Sequence, residues 1–131
     1  MVGILLITHN ALGQSLVACA QHVTGHAQPK VACIGIQPQD DFESAFALAL
    51  RKAIELDQGD GVLVLTDIYG ATPANIARKL LMPGRVEAIA GVNLPMLVRA
   101  LTHRDEPLPS VVARALSGAI ECVVSMQAAP E

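Results

Sequence analysis

Tryptophan is absent from this 131-residue chain, tyrosine occurs once and phenylalanine twice. So few aromatics remove the stacking platforms on which single-stranded nucleic acids are held. The core must then be built from Ala, Val, Leu and Ile, the usual filling of helices packed on a buried sheet. Charge is scarce too: 16% of residues are charged and the net is −3, so no basic surface awaits phosphates and nucleic acid is not an expected partner. Cys19, Cys33 and Cys122 are odd in number and widely spaced, which argues against a disulfide framework and a zinc site. They read as small buried hydrophobes in a reducing cytosol. Long apolar runs are missing as well. The N-terminal run over residues 1–7 stops at Thr8-His9-Asn10, far short of the roughly 20 residues that cross a bilayer. It lacks the basic flank and cleavage site of a signal peptide. A soluble, cytoplasmic protein without direct membrane insertion is expected.

The familiar signatures of richer chemistry are also missing. No Gly-Lys-Ser/Thr follows a glycine-rich loop, and no Gly-x-Gly-x-x-Gly follows the first strand. No paired His or Cys spacing suggests a metal, and no Gly-x-Ser-x-Gly elbow suggests a hydrolase. The acidic cluster of a magnesium-dependent receiver domain is lacking, because the first strand ends in Thr8-His9-Asn10. Neither metal nor cofactor is expected.

What remains is 52% hydrophobic and of a length for one domain, residues 1–131. Short apolar runs at 2–8, 31–36, 61–66, 86–91 and 120–126 read as strands. Helical spacing is found between them. Leu12, Leu16, Ala20 and Val23 mark one helix face, and a capping-box pair, Asp40 and Glu43, opens a second helix. Thr72-Pro73 opens a third, Asn93 caps a fourth, and residues 108–118 form a fifth. The alternation predicts an α/β fold: a single-domain, doubly wound, mostly parallel sheet flanked by helices, with an extra C-terminal strand.

In such sheets ligands bind beyond the carboxyl ends of the strands, near the point where strand order reverses. That rule selects His9, Asp67 and Asn93. If the strands before His9 and Asp67 are neighbours, the carboxylate fixes one imidazole nitrogen and leaves the other free as a nucleophile. It also balances positive charge developing on the ring. Gly70-Ala71-Thr72-Pro73 turns into a helix whose N-terminus suits a phosphoryl group, with the Thr72 hydroxyl as a further donor. A histidine at a strand end is more often structural than catalytic, and Thr-Pro is adequately explained as a helix start. The convergence of all three on one edge favours chemistry. His22, His26 and His103 read as solvated.

Three segments carry a resemblance: residues 4–9 (Ile-Leu-Leu-Ile-Thr-His), 65–75 (Leu-Thr-Asp-Ile-Tyr-Gly-Ala-Thr-Pro-Ala-Asn) and 90–97 (Ala-Gly-Val-Asn-Leu-Pro-Met-Leu). In order and spacing the chain resembles, almost end to end, the enzyme IIA component of the mannose-type (mannose/fructose/sorbose) phosphotransferase system. The resemblance implies a phosphotransferase with a phosphohistidine intermediate. His9 would accept a phosphoryl group from the histidine-containing phosphocarrier protein and pass it to a separate IIB protein during sugar uptake, or to a dihydroxyacetone kinase subunit. It implies Asp67 as the orienting carboxylate, with Thr66, Gly70, Ala71 and Thr72 at the phosphoryl group. Asn93, Tyr69 and Met96 would line the site. It also implies a homodimer that exchanges the C-terminal strand. Two departures stand out: Ala71 where a second glycine is usual, and Tyr69 where Trp or Phe is common. Two alternatives stay open from the residues, namely a regulatory phospho-switch acting on a kinase or transcription regulator, and a small-molecule-binding domain that is never phosphorylated.

Overall fold

The computed structural model describes residues 1–128 and contains four strands and five helices among them. They run β1 (Gly3–His9), α1 (Leu12–Thr24), β2 (Val31–Ile36), α2 (Phe42–Leu56), β3 (Val62–Thr66), α3 (Thr72–Leu80), β4 (Val86–Ala90), α4 (Leu94–Thr102) and α5 (Leu108–Glu121). All sheet pairings are parallel, in the order β2-β1-β3-β4. Strand order therefore reverses between β1 and β3.

Each strand is apolar because each lies between two helical layers. Side-chain alternation divides the core accordingly. Leu6, Leu63, Leu65 and Ile89 pack against the layer of α1, α4 and α5. Leu5, Ile7, Val62 and Val64 face α2 and α3. From Ile4 to Ile7, β1 is completely buried, as a central strand paired on both edges should be.

Several expectations are corrected by packing. The last strand is not formed: α5 continues to Glu121, Cys122 is a turn, and residues 123–128 form no strand. The β-branched Ile120, Val123 and Val124 suggest a strand, but a strand exists only beside a partner edge and this segment touches none. In α1 the buried positions are Gly13 and Ala20, with Leu16 and Val17 half-buried. Leu12 and Val23 face solvent. Cys19 and Cys122 are exposed, and only Cys33 is partly covered. The cap of α2 is Asp41 rather than Asp40, accepting the Ser44 N–H at 3.0 Å.

Opposite the carboxyl edge, one buried charge ties the sheet's lower end to the loop after α4. Arg104 is 2% exposed and gives its guanidinium to backbone carbonyls. Nε and Nη2 donate to Val2 O at 3.1 and 3.0 Å, Nη2 also to Lys30 O at 2.8 Å, and Nη1 to Pro29 O at 2.6 Å. Because a charged donor strengthens each bond, losing the group strands several buried acceptors at once. Arg104→Met should therefore destabilise the fold by about 3 kcal/mol. The measurement is the urea midpoint, which should fall with no change in the slope of the transition.

Candidate functional site

The parallel register of β1 and β3 sets Ile7 opposite Thr66. Continuing each strand brings His9 and Asp67 to the carboxyl edge, at the point where strand order reverses. Asp67 Oδ2 accepts twice from His9, from the backbone N–H at 3.0 Å and from Nδ1 at 2.9 Å. Its other oxygen accepts the Ile68 N–H at 3.1 Å. The carboxylate is nearly covered (8% exposed), whereas the imidazole is 46% exposed.

Burial, the largest influence on Asp67, works to raise its pKa. The hydrogen bonds from the His9 amide and ring outweigh it, so the carboxyl sits below its ordinary range. An ionised carboxylate only accepts, so the bonded Nδ1 carries a proton, and of the two neutral tautomers the contact selects the one whose lone pair is on Nε2. Among the described residues no side chain or backbone group bonds Nε2. The pair thus fixes the imidazole in aim, with Nδ1 held by the carboxylate and Nε2 turned outward.

His9 opens into a cavity of about 280 Å³ lined by Asn10, Ile36, Gln37, Pro38, Asp40 and Thr72. Thr72 is the first residue of α3, and Pro73 follows it. The free first-turn N–H groups there are those of Thr72 and Ala74, since proline has none. Gly70 closes the preceding turn with φ 87, a conformation that glycine adopts without penalty. Ala71, where a second glycine was a concern, has φ −89, so its side chain imposes no strain.

The other expected residues lie elsewhere. Thr66 is 1% exposed, and its Oγ1 is buried without a hydrogen-bond partner. It shares the parity of Val62 and Val64 and faces α3, lining a separate cavity of about 180 Å³ beside Tyr69 and Arg78. Tyr69 is exposed and receives a hydrogen bond from Arg78 at 3.2 Å. Asn93 caps α4, accepting the Met96 N–H at 2.9 Å and donating to Ala119 O at 3.3 Å. Met96 is buried in the core under α4. Neither reaches the His9 cavity. His22 and His26 are exposed, and His103 pairs with Glu106 at 2.7 Å. Sequence reading missed Asn10, Gln37 and Asp40. Asn10 alone left a trace, as a residue type that tolerates the left-handed backbone (φ 50) it adopts after the strand.

Nor do the described residues contain a cluster of three or more His, Cys, Asp or Glu able to hold a metal, or a helix long and apolar enough to cross a membrane.

A family model, EIIA-man, described as the fructose IIA component of the PTS system, matches residues 3–116. The chain is 32% identical over 132 residues to the PTS system mannose-specific EIIAB component of Escherichia coli (strain K12). That alignment takes in 98% of this chain and 41% of the relative, so the chain spans about two fifths of the relative's length. Phosphotransferase system component EIIA from Streptococcus agalactiae shares the fold with a TM-score of 0.84 and 24% identity, over 95% of this chain and 97% of that one. The PTS IIA protein associated with the fucose utilization operon from Streptococcus pneumoniae gives a TM-score of 0.75 at 26% identity, over 89% and 93%.

The lowered pKa of Asp67 has a signed consequence. A carboxyl that is more acidic folded than unfolded stabilises the fold above its unfolded pKa. That contribution is lost as pH falls through the folded value. Stability should decline in acid from about pH 4 downward. The Asp67→Asn variant should show a shallower decline in urea titrations across that window. Ring 15N shifts should show the variant's His9 losing its single tautomer at neutral pH.

Proposed function

Since the chain belongs to the mannose-type IIA family of the phosphotransferase system, we propose that it is a phosphocarrier working through a phosphohistidine at His9 Nε2. The donor is the histidine-containing phosphocarrier protein, and the acceptor is a IIB component. The observation that carries the reading is the His9–Asp67 pair, with Nδ1 engaged at 2.9 Å and Nε2 free beside the start of α3.

Nε2 attacks the phosphorus in line. A new N–P bond forms as the bond to the donor's imidazole breaks, and the donor nitrogen keeps that electron pair. Positive charge appears on the His9 ring, where Asp67 balances it. Charge on the transferring oxygens is met by Thr72 and the first-turn N–H groups of α3. Little covalent chemistry is asked of the protein beyond aim and electrostatics. The second transfer runs the same step in reverse toward the acceptor. Gly70 and Ala71 shape the turn that presents Thr72. Thr66, Asn93 and Met96 support the edge from below rather than touching the phosphoryl group.

The working unit is proposed to be a homodimer. Ile120, Val123, Val124 and Met126 are all at least 69% exposed, and beyond the Met82–Val86 bridge the outer edge of β4 pairs with no strand among the described residues. A second copy offering the segment after α5, residues 123–126, as a strand would cover both. Light scattering should give twice the chain mass, and a chain ended after Glu121 should give the monomer mass.

The catalytic test is intact-mass spectrometry after mixing the chain with phosphoenolpyruvate, enzyme I and the phosphocarrier protein. One acid-labile phosphoryl group should be gained, and none by His9→Ala. Asp67→Asn should be charged roughly 100-fold more slowly. A fully charged donor that leaves the wild-type mass unchanged would sink the reading.

A further inference from the structure

The start of α1 has an unusual hold. Its N-cap position is Ala11, whose side chain cannot accept a hydrogen bond. The N–H of Gly13, two residues in, would ordinarily be satisfied by the capping side chain. Here Thr8 supplies that bond from the strand: its Oγ1 accepts the Gly13 N–H at 2.9 Å. Thr8 is completely buried, and its hydroxyl donates to the His9 carbonyl at 3.4 Å.

The bond closes a loop from Thr8 to Gly13 in which His9 is the first residue after Thr8. Asn10 follows in a left-handed conformation (φ 50), which asparagine tolerates better than most residues with a side chain. Its N–H donates to Ile36 O at 3.1 Å, and its carbonyl lies over Gly35 of β2, where any Cβ would collide with it. The turn carrying His9 is thus held from β2 on one side and from Thr8 on the other. The His9 N–H must stay aimed at Asp67 for the double hydrogen bond to form.

We propose that Thr8 is a positioning residue for His9, its hydroxyl acting as a displaced cap of α1 that locks the turn and so the His9–Asp67 geometry. Being fully buried, Thr8 cannot touch a donor protein. It acts on the transfer step and not on docking. The rate part of this inference rests on His9 being phosphorylated; the geometric part does not.

The test compares Thr8→Val, nearly equal in shape but without the acceptor, with Thr8→Ser, which keeps it. For Thr8→Val the rate constant for phosphoryl uptake at saturating donor should fall about tenfold, with the donor KM unchanged. Thr8→Ser should stay within about twofold of wild type. On an Asp67→Asn background Thr8→Val should cost less than about twofold more, because the geometry it protects is already lost. Ring 15N spectra need no donor, and Thr8→Val should lose the single Nδ1–H tautomer of His9. A folded Thr8→Val with wild-type rate and spectrum overturns the proposal. So does a loss confined to KM, or a full additional tenfold loss without Asp67. If Thr8→Val does not fold, a tenfold loss in Thr8→Ser overturns it instead. A wild-type chain that takes no phosphate but whose spectrum responds to Thr8→Val would end the phosphocarrier reading and leave the positioning role standing.

Discussion

The parallel pairing of β1 with β3 is the constraint on which the rest depends. It is what brings two residues 58 positions apart in sequence, His9 and Asp67, within a single hydrogen bond of one another. The pairing is secured by burial: Ile4 to Ile7 and Val62 to Leu65 are all fully covered. A one-residue slip would turn each side chain to the opposite layer, exchanging Leu6 with Ile7 and Leu65 with Thr66. That slip would place a hydroxyl where a leucine is packed. The apolar core therefore enforces the register, and the register aims the histidine.

Asp67 adds a second lock at the edge itself. One oxygen holds both the backbone and the ring of His9, so the side chain cannot turn away without breaking two bonds that share an acceptor. Covered on most sides, the carboxylate gives up solvation, and the hydrogen bonds compensate enough to keep it ionised. The imidazole stays half open. Such division of burial suits a group that must be rigid at one nitrogen and accessible at the other.

Much of this was legible in the sequence, and the parts that were not share a physical cause. Alternating apolar strands and amphipathic helices specify a doubly wound sheet, and the end of each strand marks the edge where His9 and Asp67 meet. The pattern does not say which face a residue takes at that edge. Thr66 adjoins Asp67 in sequence, yet it points into the α3 layer because side chains alternate. Asn93 follows the end of β4 as expected but spends its side chain on capping α4. Met96, one turn later, is drawn into the core. Gln37 and Pro38 leave no mark, and Asp40 reads only as a helix cap, because they line the cavity from the loop after β2, which carries no periodic signal. The apolar tail from Ile120 to Met126 was read as a strand by residue type, and strand formation depends on an edge outside its own sequence.

The charges around the His9 cavity bear on what a carrier requires. Its lining holds Asp40, and Asp67 lies behind the ring, while no lysine or arginine is among the lining residues. A dianionic phosphoryl group on Nε2 would thus have only the polarity of the α3 N-terminus and the Thr72 hydroxyl in its favour, with a carboxylate beside it. Like charges repel more strongly in a partly desolvated site than in water. A cationic cradle would stabilise the phosphorylated state and slow its discharge. On the phosphocarrier reading, the sparse positive field at this edge is then an advantage: it lets His9 hold the group no more tightly than a protein that must surrender it to the next acceptor.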